Sequence, residues 1–273
     1  MIAKGRDLRN ILDEVASLAD SILTSGFRSD FSVSRKQGDE IVTSVDKAVH
    51  DAAYKFLVKA GFAAASIVSE ESEAGTEAAE YWLIDPLDGT REFASGIPEF
   101  AFSAAYIVNG RVEAAVVSSP LQGIRVLGTR ENGIECESKM QKESSWVHAS
   151  ESLIVSRSEF QEGLFENFEA GREILPIGSV ALKFALVAAG LAHSVLSLRP
   201  KSPWDIAGGV WLVEIAGGLA RDLKGRAFSF AEARKRHSDG LIAVHRPEGD
   251  TDALRSAALL RMQERPFTEK ARG

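Results

Sequence analysis

Asp85 and Asp88 stand where an apolar run, Tyr81-Trp82-Leu83-Ile84, meets Pro86 and then Gly89-Thr90. Proline removes a ladder donor and fixes φ, so the pattern predicts a strand over Tyr81–Ile84 that stops at a rigid turn holding both acids. Two carboxylates about 4 Å apart repel by roughly 4 kcal/mol at an effective dielectric of about 20, so the pair calls for a cation, a shared proton or a basic neighbour. Arg91 is the only basic residue nearby in sequence. Gly89 lets the main chain approach a ligand, and the Gly89 and Thr90 amides, at the start of a short helix, would face an anion with the helix dipole behind them. Such a strand end suits a divalent cation and a phosphate together. In isolation, Asp-Pro-x-Asp-Gly is also an ordinary helix-capping turn.

Further acids occupy similar contexts. Ile67-Val68-Ser69-Glu70-Glu71-Ser72 is a short apolar run ending in two glutamates. Ser202-Pro203-Trp204-Asp205 places Asp205 at an expected helix N-cap, where it could simply accept a backbone N–H. Asp46 falls in the first turn of a helix whose apolar residues, Val45, Val49, Ala52, Ala53, Phe56, Leu57 and Ala60, follow a 3.6-residue period; a carboxylate there also favours the helix dipole.

These acids need elements to hold them. Leu8, Ile11, Leu12, Val15, Leu18, Ala19, Ile22 and Leu23 form the stripe of a core-facing first helix. Ala101–Val108 and Arg111–Ser118 flank Asn109-Gly110, a hairpin signal, and strands over Ile124–Gly128 and Gly133–Glu137 extend the sheet. The polar, aperiodic stretch Lys139–Glu151 marks a joint between two halves, 1–140, α+β and metal-binding, and 141–273, α/β and substrate-binding. Beyond it the pattern predicts a strand at Leu153–Ser156, a helix over Val180–Ala189, a strand over His193–Leu198, a helix from Asp205 to Gly217-Gly218, strands near Leu219–Asp222 and Leu241–His245, and a last helix over Thr251–Gln263.

Composition narrows the function classes. With 273 residues, 45% hydrophobic content and net charge −7, the chain can bury a large core, and its acidity argues against nucleic-acid binding. No basic amphipathic face suits a membrane surface. The lone Cys136 excludes an internal disulfide, and neither a signal-peptide order nor a run of about 20 apolar residues is present, so the expected location is cytoplasmic. The five histidines show no zinc-type spacing, and no P-loop or Rossmann glycine pattern occurs.

The ordered set V-T-x-x-D (Val42 to Asp46), S-E-E-S (Ser69 to Ser72), W-L-I-D-P-L-D-G-T-R-E-F (Trp82 to Phe93), I-G-S-V-A-L-K (Ile177 to Lys183) and W-D-I-A-G-G (Trp204 to Gly209) resembles the inositol monophosphatase superfamily over nearly the whole chain. The resemblance implies a layered α-β-α-β-α sandwich with mixed and antiparallel sheets, a lithium-sensitive, Mg²⁺-dependent phosphomonoesterase with two or three ions per site, and a homodimer. It assigns Glu70, Asp85 and the Leu87 carbonyl to one ion and Asp85, Asp88 and Asp205 to a second, with Glu70 also helping to hold a weaker third. Asp46 and Thr90 would orient the attacking water, and Gly89 and Thr90 would grip the phosphate.

Substrate identity is less defined. Lys183, the only charge in Ser179–Leu191, either snorkels to solvent or, as the resemblance suggests for nucleotide phosphatases, reaches a substrate phosphate with Ser179 beside it. Within the resemblance, Arg91-Glu92-Phe93 follows the nucleotide-phosphatase pattern, and the acid that inositol-specific members place before Asp205 is missing, with Arg199 and Lys201 there instead; both imply a 3′(2′),5′-bisphosphate nucleotide. Against this, Ser95-Gly96-Ile97-Pro98 resembles the inositol and histidinol phosphatase branches, and the Gly178-to-Lys183 spacing is one residue longer than the resemblance to nucleotide phosphatases implies; a sugar phosphate is a further alternative. A regulatory, partner-binding protein on the same fold is the competing class, and the complete acid set favours catalysis over it.

Overall fold

A computed structural model of the chain describes residues 7–35, 41–72, 76–139, 151–168, 171–247 and 251–264. Two long helices open the fold, α1 (Leu8–Phe27) and α2 (Ser44–Lys59), with a small hairpin of β1 (Val33–Arg35) and β2 (Ile41–Thr43) between them. A six-stranded sheet follows: β3 (Ile67–Ser69), β4 (Glu80–Asp88), β5 (Ala101–Val108), β6 (Arg111–Ser119), β7 (Ile124–Thr129) and β8 (Gly133–Ser138), adjacent in sequence order. Its β3–β4 pair is parallel and the others are antiparallel. Helix α3 (Thr90–Ala94) lies between β4 and β5.

The second half supplies β9 (Leu153–Ser156), α4 (Arg157–Gln161), β10 (Ile174–Ile177), α5 (Val180–Ala188), β11 (Ser194–Ser197), α6 (Pro203–Ile215), β12 (Leu219–Arg221), β13 (Leu241–Val244) and α7 (Thr251–Glu264). Its five strands form a mixed sheet in the order β10-β9-β11-β13-β12.

Period-two burial explains the layering. Along β4, Trp82 and Ile84 face the core beneath α1 and α2, whereas Tyr81 and Leu83 face the core shared with α5 and α6. Both faces of a strand so patterned are covered, which accounts for its continuous apolar run. Helices α5 and α6 pack on the first sheet and also on the second. On the far side of the second sheet, Leu254 and Ala258 of α7 join Leu153, Val155, Leu196 and Ile242. The result is the α-β-α-β-α sandwich anticipated above. Close contact in the middle layer depends on Gly209, where an added Cβ would lie 2.4 Å from the Phe184 Cβ.

Several local expectations change. Strand β4 does not stop at Pro86; it continues to Asp88 through a bulge, with Asp85 opposite Ser103 and Asp88 opposite Ala101. The bulge tolerates a residue without an N–H and leaves both acids at the C-terminal end of the strand. Asp205 is not the N-cap of α6: Ser202 caps it, Pro203 begins it, and Asp205 closes the capping box from the third helical position, accepting the Ser202 N–H at 2.8 Å. The β1–β2 hairpin, β10 and α4 carried no clear sequence signal. Most of the expected joint, residues 140–150, lies outside the described residues. Among the described residues, no helix is long and apolar enough to cross a membrane.

Candidate active site

A cleft of about 490 Å³ opens at the junction of the bulged end of β4, the start of α3 and the N-termini of α5 and α6. Glu70, Asp85, Leu87, Asp88, Gly89, Thr90, Ser179, Lys183 and Asp205 all line it, although they span more than a hundred positions of sequence. Arg199 does not: its guanidinium pairs with Glu162.

Each acid is held by its element. Asp85 is buried at 2% exposure, and its Oδ1 accepts the Leu87 N–H at 3.1 Å. Asp88 reaches across to the second half, where its Oδ2 accepts the Ser179 hydroxyl and the Ala181 N–H, each at 2.6 Å. Ser179 caps α5 with φ of 41°, a conformation that strains a non-glycine residue, and also accepts the Leu182 N–H at 3.0 Å. Asp46, buried, closes the capping box of α2: its Oδ2 accepts the Thr43 N–H at 2.7 Å and the Thr43 hydroxyl at 2.6 Å. The Thr90 hydroxyl lies 3.0 Å from Asp46 Oδ1 and 2.9 Å from the Leu87 carbonyl, so its single proton has two acceptors. Gly89 adopts φ of 93°, and an added Cβ would come within 2.8 Å of the Glu99 carbonyl.

Negative charge concentrates where Glu70, Asp85, Asp88 and Asp205 line the cleft. Burial pushes the Asp85 carboxyl well above the usual carboxylate range, and the neighbouring charges of Glu70, Asp88, Asp205 and Asp46 push it further. Burial, then Asp88 and Glu70, raise Asp205 to about 8. Asp88 is raised by burial and pulled back by Ser179 and the Ala181 amide. Among the described residues no three His, Cys, Asp or Glu side chains converge at metal-coordinating spacing. The acids therefore line one cleft without meeting at one point, and their mutual repulsion is what a cation would relieve. An all-oxygen donor set of carboxylates and one carbonyl fits Mg²⁺.

Lys183 neither snorkels nor sits at the surface. It is 2% exposed, and its Nζ donates to the Ile177 and Gly178 carbonyls, each at 3.1 Å. Burial drives it down to about 8, with Asp88 the leading opposing influence.

The sequence reading missed Trp204, Arg234 and Arg236 as cleft residues, and it missed Glu92, which also lines the cleft. The basic cluster Arg234-Lys235-Arg236, in an otherwise acidic chain, was the available signal. Glu92 stood within the Trp82-to-Phe93 motif but was given no place in the site; its carboxylate lies 3.8 Å from Arg157 Nε.

Residues 6–258 match the pattern of the inositol monophosphatase family. The chain belongs to that family. The Nus factor SuhB of Escherichia coli K12 is 30% identical over 229 residues, covering 79% of this chain and 85% of its own. An IMPase from Thermotoga maritima superimposes with a TM-score of 0.78 at 26% identity, over 95% of this chain and 99% of that one. A more distant structure, an IMPase/NADP phosphatase complexed with Mg²⁺ and phosphate, shares the fold at a TM-score of 0.70 and 19% identity, over 92% and 96% of the two chains.

Proposed function

We propose that this protein is a Mg²⁺-dependent phosphomonoesterase acting on a small phosphorylated metabolite. The observation that carries the reading is the convergence of Glu70, Asp85, Asp88 and Asp205 on one cleft, with Asp85 buried among the other three. Glu70, Asp85 and the Leu87 carbonyl would hold one ion, and Asp85, Asp88 and Asp205 another. Bound there, Mg²⁺ supplies the positive charge that activates water and neutralises charge developing on the leaving oxygen. The phosphate complex of the distant IMPase/NADP phosphatase supports this choice of ligand chemistry.

The protein's own groups do the positioning. Asp46, fixed on Oδ2 by Thr43, offers Oδ1 to the Thr90 proton. Committing that proton leaves the lone pairs of Thr90 Oγ1 to accept from an attacking water and orient it. Gly89 and Thr90 line the cleft beside Asp88, so their amides are placed for the phosphate oxygens. Ser179 and the Ala181 amide fix Asp88 from the second half, which ties the site's geometry to the packing of α5.

Among substrates, a 3′(2′),5′-bisphosphate nucleotide is preferred to inositol, histidinol or sugar monophosphates. Of the three cations first invoked for it, Lys183 and Lys201 line the cleft and Arg199 does not. The Nus-factor naming of SuhB raises a partner-binding role as a second reading; the intact acid set is what favours catalysis. Purified protein should release phosphate from a panel of phosphomonoesters with Mg²⁺ and release essentially none in excess EDTA. Full turnover in EDTA would defeat the metal reading.

A further inference from the structure

The acids occupy only part of the cleft. Lys201, already singled out before Asp205, lines it as well, with Arg234 and Arg236 on a segment that no motif above includes. Backbone pairing sets their position. The Lys201 N–H donates to the His237 carbonyl at 3.0 Å and the His237 N–H to the Lys201 carbonyl at 2.9 Å, an isolated antiparallel bridge. This bridge lays residues 234–237 along the approach to α6, next to Ser202 and hence to Asp205. The His237 ring anchors the segment, packing edge-on against Phe228 and Phe230 at centroid distances of 5.2 and 5.5 Å. Apolar packing and main-chain bonds hold His237, so its neighbour Arg236 is not needed to fasten the segment.

What those cations face is informative. Outside the cleft, the cations of this region are neutralised: Lys235 by Glu232 at 2.6 Å, Lys224 by Asp239 at 2.5 Å, and Arg226 by Asp222 at 2.6 Å. Inside it the two arginines are not. Arg236 is exposed, stands on the lip between the cleft and an outer groove, and has no ion-pair partner among the described residues. Arg234 lies 5.2 Å over the Trp204 ring and donates to the Ser69 carbonyl and the Ser72 hydroxyl, each at 3.1 Å, and to the Ser72 carbonyl, all neutral groups. Its Nε is buried with no hydrogen-bond partner among the described residues. Lys201 has one acid, Glu159, at 3.3 Å, and that carboxylate already accepts the Ser197 hydroxyl at 2.5 Å and the Leu198 N–H at 2.8 Å.

We infer that Arg236, with Lys201 and Arg234, forms a second anion subsite that selects phosphomonoesters bearing a further phosphate or carboxylate on the same molecule. The inference rests on the phosphomonoesterase reading and replaces Arg199 with residues that line the cleft. The cleft is bipolar: the ester phosphate goes to the acid end with its metal ions, and the second anion to the guanidinium end. Arginine suits this role because its planar fork matches the oxygens of either group.

Matched substrate pairs test it. The ratio of kcat/KM for adenosine 3′,5′-bisphosphate over adenosine 3′-monophosphate reads a second phosphate, and that for 3-phosphoglycerate over glycerol 3-phosphate reads a second carboxylate. In at least one pair the wild-type ratio should exceed about ten, and Arg236→Ala should lower it at least about tenfold, the cost of one charge-assisted contact. Lys235→Ala, which removes a neighbouring charge that points away from the cleft, should leave the ratio in place. Wild-type ratios within about twofold of one in both pairs, or ratios unchanged by Arg236→Ala, would overturn the subsite. Should none of the four esters be hydrolysed, the phosphomonoesterase reading fails separately. Calorimetric binding of the bisphosphate against the monophosphate, with Ca²⁺ in place of Mg²⁺, then decides the subsite by the same tenfold criterion.

Discussion

Replacing Lys183 by methionine separates the cost of burying its charge from any role in activity. The side chain is only 2% exposed at the cleft wall, and its ammonium falls from the ordinary 10.5 to about 8. Such a drop is worth roughly 3 kcal/mol, at about 1.4 kcal/mol per pH unit. Because the folded value lies below the unfolded one, the unfolded chain holds the proton more tightly between these pH values. Below pH 8 the folded protein bears the whole cost of the buried charge; as pH rises through 8 towards 10.5 that cost is released and stability grows. Between pH 7 and pH 9.5 the release amounts to about 2 kcal/mol. Lys183→Met lacks it, although the Ile177 and Gly178 carbonyls lose a donor, which costs about 1 kcal/mol each at every pH. Urea unfolding of both proteins in EDTA at pH 7, 8 and 9.5 gives the difference directly. The wild type should gain about 2 kcal/mol on the variant across that range. A difference that stays flat with pH would refute a buried, depressed lysine.

Gly89→Ala should destabilise by about 2–4 kcal/mol and sharply lower activity, since an L side chain at φ of 93° is strained and its Cβ would press within 2.8 Å of the Glu99 carbonyl; urea denaturation and phosphate release check the two parts. Ser179→Ala should cost more stability than Ser179→Gly, because both remove the hydroxyl bound to Asp88 but only alanine keeps the strain of φ at 41°. Equal denaturation midpoints for the two variants would show that the conformation is unstrained.

Legibility in the sequence followed the length and periodicity of each signal. The α1 stripe, the Asn109-Gly110 hairpin and the apolar α5 run all produced their elements within a residue or two at most boundaries, α1 running four residues past its last stripe position. Asn109 and Gly110 take φ of 49° and 76°, the values that make this dipeptide a hairpin signal. Short elements were lost because three or four residues of β1, β2 and β10 carry too little periodicity, and β10 includes a proline. Pro86 misled in the opposite direction: a bulge let the strand continue past it. In the site, acids within motifs were readable because their neighbours in sequence are also their neighbours in space. Arg199 was placed wrongly in the cleft and Arg236 was overlooked because side-chain direction in the loops before α6 and β13 is set by the Lys201–His237 bridge, a long-range pairing that no local pattern encodes. The clamp of Ser179 on Asp88 spans 91 positions and was equally invisible.

Asp85 is the residue on which both proposed ion positions depend, so its amide replacement probes the central claim most directly. Asp85→Asn keeps shape and removes the charge shared between the ions, and losing such a ligand should cost at least several kcal/mol of transition-state stabilisation. Phosphate release with Mg²⁺ should fall to about a hundredth of the wild-type kcat or lower on the best substrate, while circular dichroism shows the same secondary structure. An Asp85→Asn protein that retains more than about a tenth of wild-type kcat would contradict metal-dependent hydrolysis in this cleft.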